Sequence, residues 1–234
     1  MPTLLALDAS SSACSAALLH RRDGAEDRLI SRFALTPREH TRRLLPMVDE
    51  VLAEAGITPG ELDAVAYGRG PGSFTGLRIA AGVAQGLAYG LNRPLIGIST
   101  LEALALCAHR RHQCEHVMTA MDARMGEIYV AAWRCHRGRT EALAPEAVMS
   151  PDRLRLPEGD DQRGWVGVGS GWALWDGMSP AVQAGVGQCF SDLEPAAEEM
   201  VQLAAHAFAA GEGGAAHEVQ PVYLRDQVAW QKSR

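Results

Sequence analysis

Short apolar runs separated by polar breaks open the chain. Residues 3–7 are apolar and end at Asp8, Ser10, Ser11 and Ser12 read as a turn, and residues 14–19 and 29–33 form two further runs. Runs of this length bounded by turn residues predict a meander of three strands. The period then changes. Leu44, Leu45, Val48, Val51, Leu52 and Ala55 recur at helical spacing, and Gly56 stops them. Thr36-Pro37-Arg38-Glu39 supplies a start signal, with Thr36 as cap, Pro37 at the first helical position and Glu39 three residues after the cap. Pro46 removes one internal hydrogen bond, so either the helix kinks there or it begins near Thr41 with Pro46 in its first turn.

The same reading continues downstream. Residues 63–67 predict a strand that runs into a glycine-rich turn, then a helix over about 75–91, a strand over 94–98 and a helix through 101–108. Residues 117–121 and 127–133 predict a strand pair joined by Asp122-Ala123-Arg124-Met125-Gly126. A polar loop is expected over 151–164, a strand over 165–169 and a helix over 194–210, with Met200, Val201, Ala204, Ala207 and Phe208 on one side. Residues 211–214 read as a flexible connection to the C-terminal PVYLRDQVAW. No repeat of solenoid period is present. Strands interleaved with helices imply an α/β fold, a mixed sheet with helices on its faces, and the second half reads as a degraded copy of the first.

Composition changes this picture little. Apolar residues make up 47% and charged residues 21% of the 234, which suits a globular chain. The net charge of −6 lacks the positive field of a dedicated nucleic-acid binder. The N-terminus has no basic stretch before its apolar run, and no run is long enough to span a bilayer. Cys14, Cys107, Cys114, Cys135 and Cys189 are odd in number and scattered, so a disulfide framework is not expected and the cytoplasm is the expected compartment.

The candidate chemistry centres on residues 68–78, GRGPGSFTGLR. Gly68, Gly70, Gly72 and Gly76 surround Ser73 and Thr75, and a glycine turn entering a helix can cradle an anion. The spacing is not that of a P-loop, a dinucleotide fingerprint or a hydrolase elbow. A structural turn capped by Ser73 or Thr75 stands as the equal alternative. Asp8, at the end of the first strand, is the best-placed carboxylate, although such residues commonly bond their own backbone. Asp8, Ser10, Gly72 and Ser73 are therefore the cofactor-binding candidates, with no cofactor or metal expected.

Beyond the turn, Gly82, Gly86 and Gly90 recur every four residues in a helix where each costs about 1 kcal/mol against alanine. Something packs close there, either the chain's own sheet or a helix of another subunit. The run from Cys107 through His109, His112 and Cys114 to His116 invites a metal reading. It departs from standard zinc spacings, although His112 and His116 could share a helix face. Arg38, His40, Arg42 and Arg43 read as a solvated basic helix face.

Five segments together resemble one family: LLALDASSSACSAALL, HTRRLLPMVDEVLAEAGI, the stretch from LDAVAYGRGPGSFTGLR to STLEALA, MDARMGEIYVAAW and PVYLR. They are similar to the TsaB (YeaZ) family, the non-catalytic partners of TsaD in making threonylcarbamoyladenosine next to the anticodon of tRNA. GPGSFTGLR and DARxGE carry most of the specificity. The resemblance implies two RNase-H-like lobes of the actin/Hsp70/sugar-kinase (ASKHA) type, residues 1–108 and 109–220, with a segment 221–234 that packs back on the first lobe. It implies pairing with TsaD through the first lobe, self-association, TsaE in a larger complex, and contact with tRNA only through that complex.

Read with the resemblance, the interface candidates are Leu44, Leu45, Val48, Leu52, Gly82, Gly86 and Gly90, and no catalytic residue is expected. The main alternative is a nucleotide-hydrolysing or metal-dependent TsaD-like enzyme. Against it, the two positions where TsaD-like enzymes carry metal-binding histidines are Thr100 and Leu104, neither of which replaces imidazole.

Overall fold

A computed structural model describes residues 2–20, 27–157 and 164–225. The part of the expected loop at 158–163 and the part of the C-terminal segment at 226–234 lie outside the described residues.

The three-strand meander is present as β1 (Thr3–Asp8), β2 (Ala13–His20) and β3 (Arg28–Leu35). Every residue of β1 is buried, because the strand is central and both its faces are covered. Helix α1 (His40–Ala55) follows, then β4 (Ala64–Gly70), α2 (Phe74–Leu91), β5 (Leu95–Ser99) and α3 (Thr100–His112). The first sheet has the order β3-β2-β1-β4-β5, with β1, β2 and β3 antiparallel and β1, β4 and β5 parallel.

A second sheet repeats the scheme with β6 (His116–Arg124), β7 (Glu127–His136), β8 (Arg139–Met149), β9 (Trp165–Val168) and β10 (Val186–Phe190). Its order is β10-β9-β6-β7-β8. Counted within the sheet, this is again third, second, first, fourth, fifth, with three antiparallel strands followed by two parallel ones. The repetition is the two-lobed RNase-H-like architecture that the family resemblance implies.

Helices fill the spaces between and around the sheets. On one face of the first sheet, α1 and α2 bury Leu44, Val48, Val51, Leu52, Ala80 and Ala84 against Leu5, Leu7, Val65 and Tyr67. On the other face lies α5 (Ala197–Ala209), which brings Met200, Val201 and Ala204 to Leu4, Ala6 and Ala66. Helix α3 serves both lobes. Its Ala103 and Leu106 join this second core, while Leu101, Leu104 and Ala105 pack with Val117, Ala131 and Trp133 of the second sheet. The far face of the second sheet is closed by a 3-10 turn (Ser170–Gly177) and α4 (Pro180–Gly185), which enclose Trp165, Trp172 and Val182. Among the described residues no helix is long and apolar enough to cross a membrane.

Several local expectations are corrected. The Thr36 capping box does not form: α1 starts at His40 after Glu39, no side chain caps it, and Thr36 instead donates its backbone N–H to Ser12 O at 3.2 Å. Pro46 lies inside α1, past the first turn. Residues 211–214 are tied down, since Gly214 exchanges two backbone hydrogen bonds with Leu95 at 2.9 and 3.0 Å. Strands β8 and β10 give no sequence signal. They are the two edges of the second sheet, where Pro145 is tolerated and, of the residues in both strands, only Val186 is buried.

Candidate functional site

The glycine turn is shaped by the chain's own backbone. Ser73 caps α2 by accepting from Gly76 N at 3.3 Å, and its own N–H donates to Ser10 O at 2.7 Å. These contacts press the turn onto the loop after β1. A Cβ on Gly72 would overlap Ser10 O, one on Gly76 would overlap Ala9 O, and one on Gly68 would overlap Asp8 Oδ1. Gly70 has φ +110° and lies against the carbonyl of Val222. The glycines of the turn thus serve close approach to the chain's own carbonyl oxygens and to the Asp8 carboxyl.

Asp8 lies beneath this contact, fully buried. Ser10 donates to it twice, from N to Oδ1 at 3.2 Å and from Oγ to Oδ2 at 3.0 Å. Burial pushes its carboxyl up to about 7; the two Ser10 hydrogen bonds oppose this, and the charge of Glu194 reinforces it. Glu194 itself accepts from Ser12 Oγ at 2.6 Å. Asp8, Ser10, Gly72 and Ser73 are therefore brought together, and their arrangement joins two loops.

Thr100 and Leu104 are both fully buried at the start of α3, and Leu104 is part of the second-lobe core. The Cys107–His116 run is dispersed by the end of α3, which places His112 on the helix and His116 on β6. Cys107 is buried with its thiol pushed up to about 12, chiefly by burial. His109 Nδ1 bonds Cys114 O at 2.8 Å, and His112 stacks on Phe190 with centroids 3.9 Å apart. Among the described residues no three His, Cys, Asp or Glu side chains are placed to share a metal ion.

The interface candidates separate into two groups. Leu44, Val48 and Leu52 are 1%, 2% and 4% exposed, because the apolar stripe of α1 covers its own sheet. These three are corrected: they have no surface to offer a partner. Leu45 is 46% exposed on the outer side of the same helix. Gly82, Gly86 and Gly90 all lie exposed on α2, and a Cβ at any of them would meet nothing within 4 Å. Their closeness thus serves no contact within this chain.

The structure adds residues to that stripe. Phe74, Arg78 and Tyr89 continue the face of Gly82 and Gly86 at helical spacing, and Tyr89 is 81% exposed. The Arg78 guanidinium sits 3.6 Å from the Phe74 ring centre and donates from Nε to Tyr223 Oη at 3.3 Å. Tyr223 belongs to the segment after α5, which Val222 N fastens to Arg69 O at 2.8 Å. The spacing 74, 78, 82, 86, 89 was readable in the sequence, but an aromatic on a helix is more often in the core, and only the fold shows that this one is outside.

Comparison with known proteins places this geometry. Residues 34–170 match the family model described as TsaD: tRNA N6-adenosine threonylcarbamoyltransferase. The chain is 43% identical to the tRNA threonylcarbamoyladenosine biosynthesis protein TsaB of Escherichia coli, over 98% of this chain and 97% of that protein. It is 41% identical to the TsaB of Haemophilus influenzae, over 98% and 96%. YeaZ from Pseudomonas aeruginosa superposes with a TM-score of 0.88 at 44% identity, covering 96% of this chain and all of that one.

Proposed function

The chain belongs to the TsaB family, and on that premise we propose that it takes part in making threonylcarbamoyladenosine in tRNA as a non-catalytic partner that holds TsaD in an active arrangement. The observation that carries this reading is the outer face of α2. Three glycines with open space above them lie on the exposed side of α2, which also carries Phe74 and Tyr89, and Leu45 is exposed on α1. A helix can approach such glycines to backbone distance. Glycine there is costly to the isolated helix and gains its use only when another chain covers it. Of the two occupants, TsaD and a second copy of this chain, TsaD is the functional one, and TsaE joins the pair in the cytoplasm.

Residues 1–108 supply this face and residues 109–220 act as its support. The C-terminal segment helps by bringing Tyr223 beside Phe74. The competing reading, a nucleotide-hydrolysing enzyme, draws no support from the glycines of the turn, which are accounted for by their contacts with the chain's own carbonyls and the Asp8 carboxyl.

Leu45→Glu and Gly86→Leu, each followed by gel filtration with and without TsaD, test the proposal. Both variants are expected to fold and to lose the complex, and reconstituted tRNA modification falls with it. Intact complexes in both variants would remove the proposed face. Calorimetry of the isolated chain with ATP and magnesium tests the competitor, which requires turnover that Asp8→Ala abolishes.

A further inference from the structure

The function proposed for α2 leaves unused a cationic cluster on the opposite side of the first sheet. Helix α3 ends in His109, Arg110, Arg111 and His112. The β7–β8 hairpin turns at Arg137 and Gly138, whose φ values are +51° and +73°. His109 joins the two elements. Its Nδ1 lies 2.8 Å from Cys114 O and its Nε2 receives the N–H of Gly138 at 3.4 Å, so Nδ1 carries the proton. The hairpin tip is thereby held against the end of the helix. Arg111, His112, His136, Arg137 and Arg139 are all exposed there.

Charge pairing divides these arginines sharply. Arg110 is neutralised by Glu199 and Glu198 at 2.7 and 2.9 Å, and Arg134 by Glu141 at 3.3 Å. Among the described residues, Arg111, Arg137 and Arg139 have no carboxylate within ion-pair distance. The negative end of the α3 dipole accounts for cations on the helix itself. It does not account for Arg137. A two-residue hairpin turn with positive φ at its first position favours Asn or Gly, and an arginine there is held in a conformation that costs roughly 1 kcal/mol. A strained, exposed, unpaired arginine in a chain of net charge −6 implies a use for its charge.

We propose that the end of α3 and the β7–β8 tip form a docking surface for the phosphate backbone of RNA, with Arg111, Arg137 and Arg139 as its contacts. The inference rests on the reading above, in which the complex handles tRNA, and it assigns this chain a direct hold on that substrate. Planar guanidinium groups match phosphate oxygens, and three of them on two braced elements present charge without ordering a loop. The α1–α2 face lies on the other side of the first sheet from α3, so a partner on α2 leaves the cluster open.

The test is Arg111→Gln/Arg137→Gln/Arg139→Gln in the full chain. A tRNA transcript is titrated against the chain alone and against its complex with TsaD, from about 50 to 200 mM salt. The variant is expected to keep its melting temperature and its co-elution with TsaD. It is expected to lose about tenfold in tRNA affinity, and its log–log salt slope should shrink by about two to three, roughly one per phosphate contact. Arg42→Gln/Arg43→Gln, on α1, should change neither quantity. Unchanged affinity and slope in the triple variant overturns the proposal. Loss of TsaD with an unchanged slope also overturns it, and gives the arginines to an acidic protein surface. If the parent chain fails to bind TsaD, the scaffold reading fails, and the titration of the isolated chain still decides the RNA surface.

Discussion

Glu146, on the outer strand of the second sheet, faces Arg69 of the first sheet with both guanidinium nitrogens 3.3 Å from its two carboxylate oxygens. Ser99, at the end of β5, donates its hydroxyl to the same carboxylate. Nearby, Thr140 donates to Glu102 at 2.6 Å. A single half-buried cluster therefore fastens the hairpin of one lobe to the strand ends of the other. Glu146→Ala leaves Arg69 and Ser99 without their shared partner and should cost about 1–3 kcal/mol. Denaturant unfolding checks this, and separate transitions for the two lobes would show that the clamp couples them.

The contact between Gly76 and the carbonyl of Ala9 leaves no room for a methyl group. Both atoms belong to backbone at the end of a central strand and the start of a capped helix, so neither can swing away. Gly76→Ala is expected to destabilise the chain by about 2–4 kcal/mol, as measured by chemical denaturation. Full stability in this variant would mean that the two loops are not pressed together.

Asp8 makes stability depend on pH in a direction opposite to the usual acid. Its carboxyl is pushed up to about 7 in the fold, above an ordinary value of 3.8. Between those values the folded chain keeps a proton that the unfolded chain has released. The stability contributed by the neutral acid is complete below about pH 4 and is lost as pH rises through about 7. Asp8→Asn keeps the shape and can serve both Ser10 hydrogen bonds. Its stability should match the parent near pH 4 and exceed it by a few kcal/mol above pH 7. Thermal melts across that range provide the comparison, and parallel curves would contradict the buried neutral acid.

The exposed glycines of α2 predict a trade between stability and assembly. Nothing lies within 4 Å of a Cβ at Gly82, Gly86 or Gly90. Alanine at each should stabilise the isolated chain by about 0.5–1 kcal/mol through helix propensity. The same changes should weaken binding to the helical partner. Variants that melt higher yet elute as free chain would carry the signature of a face kept open for another molecule.

Leu44 and Val48, only 1% and 2% exposed, set a control for that experiment. Leu44→Ala is expected to lower stability by about 2–4 kcal/mol through a cavity under α1. Any loss of partner binding in that variant should follow its unfolding and disappear under conditions where the variant is folded.

Much of the fold was legible in the chain itself, because it is written in short-range patterns. The runs at β1 and β2, the helical period of α1, and Ser73 before Phe74 each reflect how one element satisfies its own backbone and covers its own apolar face. The paired halves were legible for the same reason, and GPGSFTGLR was legible as a signature through the family resemblance. The edge strands β8 and β10 were not, since Pro145 and Glu146 fall at an irregularity of β8 that continues as strand only because β7 pairs with Ala144 and Ala147 on either side. Periodicity marked Leu44, Leu45, Val48 and Leu52 alike as apolar helix positions, and only packing put three under the helix and Leu45 outside. It also marked the glycines of the turn and of α2 as close approaches without saying what approaches. The turn glycines meet Asp8, Ser10 and Ala9, whereas Gly82, Gly86 and Gly90 meet open space. Local chemistry determines which conformations a segment can take, and what fills the space beside it is decided where segments distant in sequence converge.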